Sequence, residues 1–449
     1  MQQLTESAET LPGSYGWPVV GQSFELFFER ELFFWKQFQR YGPVFKTHFM
    51  GMKTAVLVGS DANQLVLKDQ VHKFSMKVGW SFLEPLLGDG LILQEGENHQ
   101  ATRRLMAPAF HGQAITNYFN IIHTTVKNCL RGWPEHIPLQ IVEQLRQLTL
   151  LIACKLLMGS DNQEEISELS QWFIDFVEGI PTVVRLNIPI TKFGRAQVAR
   201  RKLENYIQSV ITQRRESGEE FQDVLGILLS TTDEYGNKLN DSEVVTQTLQ
   251  LLFAGHESTV KFLCWALFEL SLHPEWSSRL RDELNCVVGE EELKMSHLRQ
   301  LTQMGYLLQE IERLYPPPFF IPRGVIQGLD IAGYYIPPKW LVMVSPLLSH
   351  RLPEVFDNPN CFDPNRFAPP REEHKKHPFA LIGFGGGPHK CLGYEFAQLE
   401  MKTTLCILLQ YFNWKIIPKP ASLLPVLQPS KIELRLQMQV KRICNDFQL

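Results

Sequence analysis

The stretch FGGGPHKCLGYEFAQLEM, residues 384–401, sets one thiol, Cys391, shortly behind Gly385, Gly386 and Gly387 and ahead of a helix-like run. A thiolate serves as a nucleophile or as a soft metal ligand. Three successive glycines cost folding entropy, which is spent where a turn is tight or where backbone must pass close to a ligand. Taken alone, the stretch also reads as an ordinary loop before a helix with a buried cysteine. A second reactive group lies upstream, where Ala254, Gly255, His256, Glu257, Ser258 and Thr259 interrupt an apolar run. An acid beside an alcohol can relay protons, although the same cluster also reads as a solvated stripe. Glu310 and Arg313, three apart, share a helix face and can pair. Arg366, in FDPNRF, could join them in a buried network, provided every charge is hydrogen-bonded.

The elements that must position these groups are legible in outline. LNDSEVVTQTLQLLFAGHESTVKFLCWALFELSLHPE opens with a capping-box pair, Asn240 and Glu243, and ends where Pro274 forbids continuation. Its roughly 32 residues would run about 48 Å. Gly255 in its middle costs ~1 kcal/mol relative to Ala, and the polar cluster sits where a buried helix should be apolar. A ligand lying across Gly255 would account for both. Residues 42–60 alternate and favour β-branched types, which predicts a hairpin. From about 97 to 315 the pattern is helical; after Pro316 come short strand-like pieces such as DIAGYYIP and WLVMVSP, and a helix returns near Tyr394. The expected fold is mostly α, one domain over 1–449, with a β-rich part mainly at 42–60 and 316–345.

Composition narrows the function. The 449 residues, 44% hydrophobic, can bury a large core. A net charge of −4 gives nucleic acid no electrostatic footing. Eight cysteines without a CxxC or paired spacing argue against a zinc ribbon and against a disulfide framework, and fit a reducing compartment. No basic segment precedes an apolar core at the N-terminus, and apolar stretches break before the ~18 residues of a membrane span. A soluble, cytoplasmic, bacterial protein is expected, with peripheral membrane contact left open.

On these residues the chain resembles the cytochrome P450s, haem-thiolate monooxygenases. The family's cysteine pattern is met by Phe384, Gly387, His389, Cys391 and Gly393, and its Glu-x-x-Arg pattern by Glu310 and Arg313. Arg366 meets the element that follows, and Ala254, Gly255, Glu257 and Ser258 meet the Ala-Gly-x-acid-alcohol pattern. The four occur in family order, and the likeness extends from Leu11 to the C-terminal strands. GENHQATRRLMAPAF, the AGHE core and CLGYEFAQLEMK look most like the cyanobacterial retinoid-hydroxylating branch and its animal retinoic-acid hydroxylase relatives. Two departures stand out: Asn365 where Glu is common before Arg366, and Ser258 where Thr usually follows the acid.

The resemblance implies haem b with Cys391 as the proximal iron ligand, and glycines that let the main chain pass close to sulfur and porphyrin. It assigns the haem propionates to His99, Arg103, Arg323 and His389, and places Phe384 and Gly393 at the cofactor. Gly255 would bring the long helix to the oxygen site, where Glu257 and Ser258 would deliver protons. Thr259, about 100° further round, should face away. Glu310, Arg313 and Arg366 would be structural supports. The implied activity is O2-dependent hydroxylation of a lipophilic substrate (retinoid, terpenoid or fatty-acid-like) by a monomer. Electrons would come from a separate donor such as ferredoxin and its reductase, since no flavin-binding region precedes Leu449. A haem-thiolate isomerase or peroxygenase, and a non-catalytic haem-binding sensor, are the alternatives; the acid–alcohol pair favours the monooxygenase. Trp80, Phe82, Phe173, Phe176, Phe253 and Phe320 are candidate substrate-pocket aromatics, each of which would equally serve as core.

Overall fold

The long apolar run folds into a 32-residue helix, Asp241–Leu272, capped by the two reciprocal bonds of the box: Glu243 N–H donates to Asn240 Oδ1 at 3.0 Å, and Asn240 N–H to Glu243 Oε2 at 2.8 Å. Pro274 starts a new helix, Pro274–Val287. A helix apolar on all sides must be surrounded, and this one packs against Ile141–Ala153, Lys192–Ser217, Thr302–Leu314 and Tyr394–Tyr411. In its C-terminal half Val260, Leu263, Cys264, Ala266 and Leu267 are fully enclosed and belong to the main core. The computed structural model describes residues 6–17, 21–160, 162–180, 182, 185–417 and 435–443.

The β-rich part forms where β-branched residues alternate. Strands Val44–Phe49 and Met52–Leu57 make the expected hairpin, in register Val44 to Leu57. Leu341–Val344 then pairs parallel with Met52–Leu57, Ile321–Val325 antiparallel with Leu341–Val344, and Phe74–Ser75 closes the five-stranded sheet. DIAGYYIP contributes strands Leu329–Ile331 and Tyr334–Ile336 to a smaller sheet. Phe412–Ile417, Gln437–Arg442 and Leu139–Gln140 make a third. The five-stranded sheet matters to the site because the middle of one strand carries Arg323. The arrangement is mostly α with a small β part, as the sequence implies.

No described helix is long and apolar enough to cross a membrane. No disulfide joins the seven described cysteines; Cys444 lies outside the described residues. No group of three His, Cys, Asp or Glu residues among the described residues could hold a metal ion.

Candidate active site

One apolar cavity of about 390 Å³ gathers most of the residues singled out from the sequence. The long helix lines it with Gly255, Ser258, Thr259 and Phe262, and the cysteine loop with Phe384, His389, Cys391 and Gly393. The two walls are tied by Phe262 stacked on Phe384, centroids 5.3 Å apart and rings nearly parallel. A Cβ built on Gly255 would meet nothing within 4 Å. The missing side chain therefore opens the helix surface to the cavity.

The cysteine loop is shaped by local geometry. Gly385 and Gly387 have φ of 72° and 61°, where a side chain is strained. A Cβ on Gly387 would lie 2.0 Å from the Leu67 carbonyl oxygen, and one on Gly386 2.5 Å from the Phe379 ring. The glycines thus let the loop turn and pack against protein. The loop closes through Cys391 N–H donating to the Phe384 carbonyl at 2.8 Å. Cys391 itself is exposed to the cavity. Burial raises its thiol, against the lowering influence of the Gly393 N–H, Arg103 and Lys390.

Four cationic or imidazole groups, His99, Arg103, Arg323 and His389, converge on the cavity, and none of them has an ion-pair partner among the described residues. His99 and Arg103 stand one turn apart on helix Gly96–Met106, and the His99 and His389 rings lie 4.0 Å apart. Arg323 is buried; one nitrogen donates to the Pro322 carbonyl at 2.9 Å, and its Nε has no partner. The nearest carboxylate acting on it, Glu95, is engaged by Ser75 Oγ and the Lys77 N–H. Burial, then Arg103, lowers His99 to about 4; burial, then His99 and both arginines, lowers His389 to about 3; burial lowers Arg323 to about 10. Such a cluster is incomplete without buried negative charge.

The acid–alcohol pair divides. Ser258 lines the cavity and donates to the Ala254 carbonyl at 2.7 Å. Glu257 does not line it: its carboxylate is held by Arg146, Nε to Oε1 at 2.8 Å and Nη2 to Oε2 at 3.1 Å. Burial disfavours that charge, but the bonds and charge of Arg146 outweigh it and hold the carboxyl below its usual range. His256, unassigned from sequence, lies between: Nδ1 is 2.7 Å from Thr149 Oγ1 and Nε2 is 3.7 Å from Glu257 Oε1. Thr259 also lines the cavity, donating to the Gly255 carbonyl at 2.8 Å, so it does not face away as expected.

Two of the six pocket aromatics, Trp80 and Phe253, line the cavity. Phe173 and Phe176 do not: they are sealed in the helical core, with Phe173 edge-on to His256 at 4.8 Å. Phe82 and Phe320 also lie outside it, in an aromatic cluster where Trp80 packs on Phe82 at 5.6 Å and on Phe320 at 6.3 Å. Their role is to back Trp80. Gln247 and Gln250, which the sequence reading passed over, line the cavity and pin its roof: each Oε1 accepts a backbone N–H, from Leu91 at 3.0 Å and Ile92 at 3.1 Å.

Beneath the site, Glu310, Arg313 and Arg366 are all fully buried and joined. Arg313 donates to Glu310 at 2.7 and 2.8 Å, and Arg366 Nε lies 3.1 Å from Glu310 Oε2. The remaining donors reach the carbonyls of His350, Pro359, Cys361 and Asp357. Glu373, absent from the sequence reading, balances the second arginine at 2.8 Å. Asn365 plays no part in it and binds Arg279 instead.

Comparison with known proteins agrees with this arrangement. The cytochrome P450 family model matches residues 11–436. A putative cytochrome P450 120 from Synechocystis sp. is 31% identical over 91% of both chains. Human cytochrome P450 26B1 is 28% identical over 93% of this chain and 84% of its own. The solved structure of retinoic acid-bound cyanobacterial CYP120A1 superposes with a TM-score of 0.87 at 31% identity, covering 98% of this chain and all of that one. The chain therefore belongs to the cytochrome P450 family, haem-dependent monooxygenases that act on lipophilic substrates with O2 and a redox partner.

Proposed function

We propose that this enzyme holds haem b through Cys391 and hydroxylates an elongated apolar substrate with one polar end, of retinoid, terpenoid or fatty-acid type. The observation that carries the cofactor assignment is the cluster of His99, Arg103, Arg323 and His389, with its orphaned Arg323 Nε, on the same cavity as the only thiol there. That donor set fits two propionates and one iron. When bound, the haem supplies oxygen activation, which an anionic sulfur ligand favours.

The chain's own residues do the rest. Gly255 leaves room beside the helix, Trp80, Phe253 and the leucines around them exclude water, and the Ser258 hydroxyl oxygen can still accept a proton-bearing partner while its own hydrogen is held by Ala254. Gln247 gives its oxygen to Leu91, and its Nε2 has no partner among the described residues. Gln247 and Gly255 are eight residues apart, about 12 Å along a helix. A substrate whose polar end reaches that amide would present a carbon roughly this far away to the oxygen site. The likeness to the retinoic acid-bound structure supports a retinoid. A single-domain monomer in the cytoplasm, served by a ferredoxin and its reductase, completes the reading.

The test is spectral titration of the haem-loaded enzyme with all-trans-retinoic acid, retinol and fatty acids of graded length, followed by product analysis. Binding and hydroxylation of at least one class support the proposal. A spectrum unmoved by the whole panel, with no product, would sink the substrate assignment.

A further inference from the structure

The helix Thr302–Leu314 carries, besides Glu310, a second buried carboxylate that the network does not use. Glu312 follows Glu310 by two residues, about 200° round the helix, so it points away from Arg313 and Arg366. It is 6% exposed, and its Oε1 accepts the Gly383 N–H at 2.9 Å; the same carboxyl makes a backbone hydrogen bond with Phe384. A Cβ on Gly383 would sit 2.4 Å from Glu312 Cγ, so this glycine and this glutamate are fitted to each other. Phe384 is then held twice. Its N–H bonds Glu312, and its carbonyl accepts the Cys391 N–H at 2.8 Å.

No Lys, Arg or His among the described residues lies within ion-pair distance of Glu312. A salt-bridge role is thereby excluded, and what the side chain offers is an acceptor placed under the loop. A second cavity, of about 410 Å³, lies behind the loop, and Glu312 lines it together with the titratable groups His374, Lys375, His377, Lys390 and Tyr394. Burial raises its carboxyl to about 8, against the lowering effect of the loop N–H groups and Lys390, so the group is predominantly neutral at pH 7.

We propose that Glu312 is a positioning residue: by holding Gly383 and Phe384 it fixes the hydrogen bonding and reach of the Cys391 loop, and so sets how strongly the sulfur donates to the iron. The inference rests on Cys391 being that ligand. It goes beyond it by assigning the donor strength to a side chain on another element.

The experiment compares haem-loaded wild type with Glu312→Gln, Glu312→Asp and Glu312→Leu, measuring amide hydrogen exchange over residues 380–392 and the haem reduction potential. Gln keeps an acceptor at the same reach, so exchange and potential at pH 7 should match wild type. Asp, one methylene short, and Leu, without an acceptor, should speed exchange at Gly383 and Phe384 about tenfold or more and displace the potential in the same direction. Asp keeps the test decisive should the Leu variant fold poorly. Unchanged exchange at these amides, or freed amides with an unmoved potential, would overturn the proposal. Loss of the thiolate-type carbonyl spectrum in Cys391→Ser, measured separately, distinguishes a wrong ligand from a wrong role for Glu312.

Discussion

Arg146 grips Glu257 through two hydrogen bonds and sets the carboxylate on a different side of the long helix from Ser258, the residue that follows it. Adjacent helical residues diverge by about 100°, so an acid and an alcohol side by side in sequence need not touch. Glu257 stays ionised because Arg146 outweighs its burial. With Arg146→Leu the largest influence opposing burial is lost and the carboxyl pKa rises. If Glu257 feeds protons to the site, turnover of this variant should gain a titration at higher pH than any that Glu257 causes in wild type. Flat profiles for both proteins would remove Glu257 from the proton route.

Ser258 and Thr259 both reach the cavity, but Thr259 is 2% exposed and Ser258 is the more open. Ser258→Ala should keep substrate binding and lower product formed per NADPH consumed several-fold, about 1–2 kcal/mol in the balance of pathways. Ser258→Thr should retain coupling, because the hydroxyl is kept. Thr259→Ala should have the smaller effect. Uncoupling by Thr259→Ala alone would move the proton-handling role one residue along.

The Glu310–Arg313–Arg366 network has no solvent to fall back on. Glu310→Ala or Arg313→Ala should cost ~3–5 kcal/mol by leaving charge uncompensated, seen as little haem-bound folded protein. A variant that folds, keeps haem and merely turns over slowly would contradict a supporting role.

The long helix was legible because its signals are local: a capping box at one end, a proline at the other and apolar residues between. The core of the charged network was legible for a related reason, since Glu310 and Arg313 share one helix. Partners distant in sequence were not. Arg146 lies 111 residues from Glu257, and Glu373 sits in a turn with no pattern marking it. The aromatics failed differently: nothing in a phenylalanine's type separates Phe253, on the cavity, from Phe173, in the core. Glu312 and Glu400 look like helix-surface acids until packing encloses them.

Glu400 gives a pH test. On helix Tyr394–Tyr411 it is 2% exposed, its Oε1 has no partner, and burial raises its carboxyl from the usual value to about 8. The folded protein therefore keeps the proton that the unfolded chain releases above about pH 4.5, and stability falls as pH rises toward 8. Glu400→Gln removes that penalty. Its melting temperature should exceed wild type at pH 8, by the equivalent of ~3–5 kcal/mol at most, with little difference at pH 4. A pH-independent difference would contradict it.

The central claim, that Cys391 is the thiolate ligand of the haem, is tested most directly by the reduced carbonyl spectrum of Cys391→Ser. A serine hydroxyl supplies no soft anionic ligand, so the red-shifted thiolate-type band should vanish, while Cys154→Ala, Cys264→Ala and Cys406→Ala retain it. A Cys391→Ser protein that keeps the band would contradict the assignment.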